Sequence, residues 1–118
     1  MNVWHGLGRL TSDPTIKRDI PKSNGDTTSL TKFSLAINEK IRKETGDWID
    51  VCHFVDCVAW DSGGERIYEW FSKGMPIIVH GKIINNVYTK EGEDTPTRKV
   101  QVRVEKFEFV PKPLKEDE

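Results

Sequence analysis

The most informative extended run of the chain reads Trp48-Ile49-Asp50-Val51-Cys52-His53-Phe54-Val55-Asp56-Cys57-Val58-Ala59-Trp60. In its second half Val55, Cys57 and Ala59 make a small apolar face suited to a core. Phe54, Asp56, Val58 and Trp60 make the other face, with two large aromatics six residues apart. A period of two with one sealed face is the signature of a half-buried strand. Directly after it, Asp61-Ser62-Gly63-Gly64-Glu65 offers helix-starting residues, with Ser62 and Glu65 at capping-box spacing. Ile67, Trp70 and Phe71 then fall at i, i+3 and i+4 of one short helix, which the spacing ends at Gly74 as a C-cap glycine before Pro76.

Upstream, residues 39–47 read as a charged hairpin, and Phe33, Leu35 and Ile37 share one face of a strand over 30–38. A loop at 21–26 precedes it, with Asn24-Gly25 able to supply a positive φ. The first strand, 3–10, carries Gly6 and Gly8, which predict a bend or a close backbone approach, and Asp13-Pro14 closes it as a turn. Downstream, strands over 77–90 and 97–110 flank a turn at Glu91-Gly92-Glu93. The apolar phase moves from Val100, Val102 and Val104 to Phe107 and Phe109, which predicts a bulge near Glu105-Lys106. The order is three strands, one short helix, two strands. Too few residues separate the strands for βαβ crossovers, so the reading is all-β: a five-stranded antiparallel OB-fold barrel with one short helix between strands 3 and 4.

The chain has 118 residues, enough for one domain, with 36% hydrophobic and 31% charged residues. No apolar run approaches the roughly 18–20 residues of a membrane helix. The opening Met1-Asn2-Val3-Trp4-His5 shows no basic n-region followed by an apolar h-region, so the expected location is cytoplasmic. Cys52 and Cys57 would lie roughly 16 Å apart on an extended strand and on opposite faces, so free thiols are expected. Cys52-His53 and Cys57 lack a matching second ligand pair, and no metal or other cofactor is expected. The nucleotide-binding, zinc-hydrolase and nucleophile-elbow signatures are absent, and no two carboxylates pair at a catalytic spacing. The expectation is a binding protein without catalysis.

The formal net charge of −1 argues against gripping nucleic acid by bulk charge. By segment it is +4 over residues 1–43, −6 over 44–72 and +1 over 73–118. Phe54, Trp60, Tyr88 and Trp48 are aromatics on strands or strand ends, and bases stack on such rings whatever their identity. Arg9, Lys32, Lys43, Lys73, Lys82, Lys90, Arg98, Lys99 and Arg103 lie where a nucleic-acid backbone could pass. The competing structural reading caps the barrel end with Trp60, and Trp4 and Trp70 are assigned to core packing or a subunit contact.

The ordered set of motifs resembles the bacterial and phage single-stranded DNA-binding protein family. Gly8-Arg9-Leu10-Thr11-Ser12-Asp13-Pro14, Phe33-Ser34-Leu35-Ala36-Ile37-Asn38, Phe54 to Trp60, the Lys73-Gly74 helix end, Ile77 to Ile83 and Phe107-Glu108-Phe109-Val110 follow the family's order over residues 1–110. The resemblance places Phe54, Trp60 and Tyr88 on base-stacking positions and Lys73 near the DNA path. Ile41 stands where some members have an aromatic, a role open to Trp48. Ser62 and Val87 stand where basic residues are common. The resemblance further implies a homotetramer, with a dimer possible, and roles in replication, recombination and repair. Residues 111–118 form a short acidic tail without the family's terminal Pro-Phe, so recruitment of replication or recombination proteins through that tip is not expected. Such a tail is expected of a phage- or plasmid-type member, or of a shortened chain. The alternative reading is an OB-fold protein-interaction module of a primosome-type accessory protein; an OB-fold nuclease fits less well, because the carboxylates are scattered. Stacking is expected to carry an unusually large share of the affinity.

Overall fold

Six strands and one helix form the chain in the computed structural model, which describes residues 1–111: β1 Trp4–Leu10, β2 Thr15–Pro21, β3 Thr27–Arg42, β4 Trp48–Trp60, α1 Asp61–Trp70, β5 Pro76–Tyr88 and β6 Thr97–Phe109. Five of the strands close a ring. It runs β1–β5–β6–β4–β3 and returns to β1 through Arg9 opposite Ala36 and Leu10 opposite Leu35. The helix falls between the third and fourth strands of that ring, as the sequence predicts. A ring with an odd number of strands cannot alternate direction at every seam. One seam must therefore be parallel, and it is β4–β6, with Cys57 beside Val102 and Val58 beside Arg103.

Residues 15–21, which the sequence reading left outside the strands, form β2 on the outer edge of β3. Ile16 and Ile20 carry too few apolar positions to stand out among Lys17, Arg18 and Asp19. A register shift between Lys17 and Ile20, with Asp19 at φ 57°, breaks the alternation further. The charged hairpin is also mostly strand: β3 and β4 stay paired out to Arg42 and Trp48, and only the turn at 43–47 is irregular, with Gly46 at φ 94°.

Leu10, Phe33, Leu35, Cys57, Ala59, Ile77, Val79 and Val102 fill the barrel, and α1 closes it with Ile67, while Phe71, just past the helix, packs beside it. The predicted helix punctuation fails at both ends. Trp60 is the N-cap, with no side-chain cap bond, so Ser62 lies inside the helix instead of capping it. At the other end the helix stops at Trp70, and Gly74, at φ 87°, serves the separate turn from Ser72 to Met75. Two aspects of the glycine and bulge reading hold. A Cβ on Gly8 would lie 2.9 Å from the Ala36 carbonyl oxygen, so β1 crosses β3 closely there. The β5–β6 register jumps from His80/Lys106 to Gly81/Val104, which leaves Glu105 as the extra residue.

Cys52 is exposed and Cys57 buried, both free. Burial first, and the neighbouring Asp56 second, push the Cys57 thiol up to about 12. Only the thiolate reacts with alkylating reagents. Iodoacetamide on the native protein at pH 8 should therefore add one group, at Cys52, and reach Cys57 only after denaturation; intact mass reads the count. Among the described residues no helix is long and apolar enough to cross a membrane.

Candidate functional site

The pleat of β3 and β4 sorts the predicted residues. On β4 the even-numbered side chains face outward, which puts Trp48, Phe54 and Trp60 on one side at six-residue intervals, about 20 Å each. All three are exposed, Phe54 at 69% and Trp60 at 42%. Cross-strand pairing then builds rows on this outer surface. Arg9, Ala36 and Phe54 form one, across β1, β3 and β4. Lys32, Val58, Arg103 and Lys82 form another, across β3, β4, β6 and β5. Leu30 and Trp60 form the row beside it. The basic row has a consequence the sequence did not show: Val58, on the outward face, is 5% exposed, lying between Lys32 and Arg103.

Trp60 projects into a groove of about 290 Å³ whose other walls are Lys32 and Val58 and, from the β5–β6 ribbon, Ile84, Asn86 and Gln101. Leu30 floors it beside the ring. Ile84, Asn86 and Gln101 were missed by the sequence reading; their signal was alternation, which puts Ile84 and Asn86 on the side of Lys82 and Tyr88 along β5, and Gln101 on the side of Arg103 along β6. Between the Phe54 and Trp60 ends, Lys99 pairs with Asp56 at 3.2 Å and so offsets the one carboxylate on this stretch of β4.

The remaining predicted residues are distributed. The Arg9 guanidinium donates to the Gly74 carbonyl at 2.9 Å, and the Lys73 backbone N–H donates to Asp13 Oδ1 at 2.8 Å, so Arg9 and the Lys73 turn meet near the Phe54 row. Lys82 faces the basic row but holds Glu105 at 3.7 Å. Trp48 sits at the end of the β3–β4 arm, with the Arg42 guanidinium 5.8 Å from its ring centre, next to the turn carrying Lys43. Tyr88 and Lys90 lie at the tip of the β5–β6 arm. Arg98, opposite Val87, is on the other face of that arm from Tyr88. Of the two tryptophans assigned to core packing or a subunit contact, Trp4 packs against the core and Trp70 is 47% exposed.

The acidic middle of the sequence resolves spatially. Glu65 pairs with Arg18 at 3.5 Å, and Asp61 with Lys22 at 4.0 Å and with the Thr28 hydroxyl. Asp61 and Glu65 thus face the β2 side, away from the Trp60 groove. On the opposite side of the barrel His5 and His80 share one hydrogen bond at 2.6 Å, and His80 donates to Glu108 at 2.7 Å, which holds that carboxyl below its ordinary value.

Residues 1–110 match the single-strand binding protein family. Among curated proteins the chain is similar to the single-stranded DNA-binding protein of Clostridium perfringens, 32% identical over 111 residues, covering 93% of this chain and 66% of that protein. It is also similar to that of Aquifex aeolicus, 30% identical, covering 91% of this chain and 68% of the relative, and to that of Treponema pallidum, 34% identical, covering 74% and 46%. The chain thus spans about half to two thirds of the length of these relatives. Among solved structures it superposes with a TM-score of 0.75 on a deletion mutant of the single-stranded DNA binding protein from Thermus aquaticus, 22% identical, over 94% of this chain and 51% of that one. It superposes equally, at 22% identity, on the Plasmodium falciparum SSB complex with ssDNA, over 94% and 96%.

Proposed function

Because the chain belongs to the single-strand binding protein family, we propose that it binds single-stranded DNA without sequence preference and without a chemical step, coating and protecting it during replication, recombination and repair in the cytoplasm. One observation carries this reading: an aromatic line along β4, Trp48, Phe54 and Trp60, is crossed between Phe54 and Trp60 by a basic row on an open sheet face. Aromatic rings accept any base at about 1–3 kcal/mol each, and Lys and Arg along the row meet the phosphates. Phe54, Trp60, Tyr88 and Trp48 are the stacking residues of the proposal. Arg9, Lys32, Lys43, Lys73, Lys90 and Arg103 are its main cations, with Lys82 and Arg98 contributing less because of their ion pair and orientation.

The proposal includes self-association to a homotetramer, with OB domain 1–110 as the unit. Along Trp4–Leu10, β1 pairs with β5, but toward β3 only Arg9 and Leu10 are paired. Among the described residues the other edge of residues 4–8 has no strand paired to it, and a second copy can extend it as a sheet. The proposed acidic tail, 111–118, lies almost wholly outside the described residues.

Adding oligo(dT) at low salt should quench tryptophan fluorescence, and light scattering should give four times the 13.6 kDa protomer mass plus bound oligonucleotide. With stacking dominant, the log–log salt slope should stay well below the number of cations on the face. No quenching and no complex at low salt would sink the DNA reading; a monomer mass would sink only the assembly.

A further inference from the structure

Trp60 borders two grooves, not one. On its far side from the groove already described, a second groove of about 500 Å³ runs between α1 and the second half of β6. Its walls are aromatic: Trp60 at one end, then Trp70, Phe107 and Phe109. Trp70 stands on Phe109 with ring centres 5.8 Å apart, and Phe109 stacks in turn on the buried Phe71 at 4.8 Å and 13°. The Trp70 ring is therefore braced from behind while 47% of the residue stays exposed.

The charges along this groove are Arg66, Lys106 and Glu105. Glu105 is engaged by Lys82 at 3.7 Å, and Arg66 has no ion-pair partner among the described residues. The helix carboxylates Asp61 and Glu65 are held on the opposite flank by Lys22 and Arg18. A groove with braced aromatic walls, Arg66 free on its helix side and Lys106 shared with Glu108 on its strand side suits an apolar ring attached to an anion. It opens from the ring on which the proposed DNA path already rests.

We infer that this α1–β6 groove is a second nucleotide subsite, in which single-stranded DNA leaving Trp60 continues, with a base on Trp70 and its phosphates by Arg66 and Lys106. The inference rests on the DNA-binding reading above and extends the path beyond the face that sequence motifs indicate. Ser62 and Gly63 leave the helix flank low beside Trp60, and that gap lets the strand pass from one groove to the next.

The test measures affinity of the full chain for oligo(dT) of increasing length, for the wild type, Trp70→Ala and the double variant Arg66→Gln/Lys106→Gln. Short oligonucleotides that occupy only the Phe54–Trp60 face should bind all three alike. Longer ones should bind the variants about ten-fold more weakly, and the double variant should lose about one to two from its salt slope. The double variant changes only exposed groups, so it keeps the test decisive should Trp70→Ala fold poorly. Coincident curves at every length, or an equal offset at every length, would overturn the subsite. So would an altered oligomer mass in the double variant, which would make the groove a contact between copies. If the wild type bound no oligonucleotide of any length, the DNA reading itself would have failed, and the subsite with it.

Discussion

The double variant Phe54→Ala/Trp60→Ala should bind oligo(dT) about 30- to 10⁴-fold more weakly than the wild type, the largest loss any pair of surface substitutions produces. Each ring removed costs about 1–3 kcal/mol of stacking, and the two lie about 20 Å apart, far enough for their losses to add. A single lysine on the face, by contrast, contributes one released counterion, which costs less as salt rises. The loss on the double variant should therefore persist at salt concentrations where Lys32→Gln becomes indistinguishable from wild type. Anisotropy of a labelled oligonucleotide reads the affinity independently of the lost tryptophan. Thermal stability should hardly change, because Phe54 is 69% and Trp60 42% exposed and neither belongs to the core cluster. A large drop in melting temperature with a small loss of affinity would restore the reading in which Trp60 caps the barrel.

Most of the barrel was legible because its strands obey a period of two against one core. Val55, Cys57 and Ala59 point inward as the alternation requires, and the shift from Val104 to Phe107 located the Glu105 bulge. What escaped was structure held by long-range partners. β2 exists because the edge of β3 offers it hydrogen bonds, and its own pattern is masked by Lys17, Arg18 and Asp19. The capping box failed because Asp61 takes a left-handed φ of 55° at the strand-to-helix junction, with its carboxylate held by Thr28 and Lys22. No local spacing encodes that contact, since Thr28 is a β3 residue.

The candidate site was legible in its rings and illegible in its rows. Alternation on β4 is enough to put Phe54 and Trp60 on one side. Setting Lys32, Arg103 and Lys82 in one line across four strands needs the parallel β4–β6 seam, which no single strand's pattern contains. The same holds for charge. A segment net of −6 does not show that Asp61 and Glu65 are held on one flank of α1 by Lys22 and Arg18, leaving Arg66 on the other.

Gly81→Ala should be the most damaging single substitution tested for stability, because of what lies against that backbone. A Cβ at Gly81 would fall 2.1 Å from the Arg103 carbonyl oxygen and 3.1 Å from Val102 Cγ1. The first neighbour is backbone, so no side-chain rotation relieves the clash; the β5–β6 seam must move. That seam sits at the Glu105 bulge, is one of the five that close the ring, and carries Lys82 and Arg103 to the basic row. Overpacking against a fixed neighbour costs about 2–4 kcal/mol, which lowers the melting temperature of a domain this size by roughly 10–20 °C. Gly92→Ala is the matched control on the same ribbon. Gly92 has open space around it but a φ of 83°, so alanine there meets only backbone strain of about 1–2 kcal/mol. Calorimetry of the pair separates the two causes. If the melting temperature of Gly81→Ala fell no further than that of Gly92→Ala, the ring would be able to yield at its bulge, and the closeness of β5 to β6 would not be what fixes the basic row.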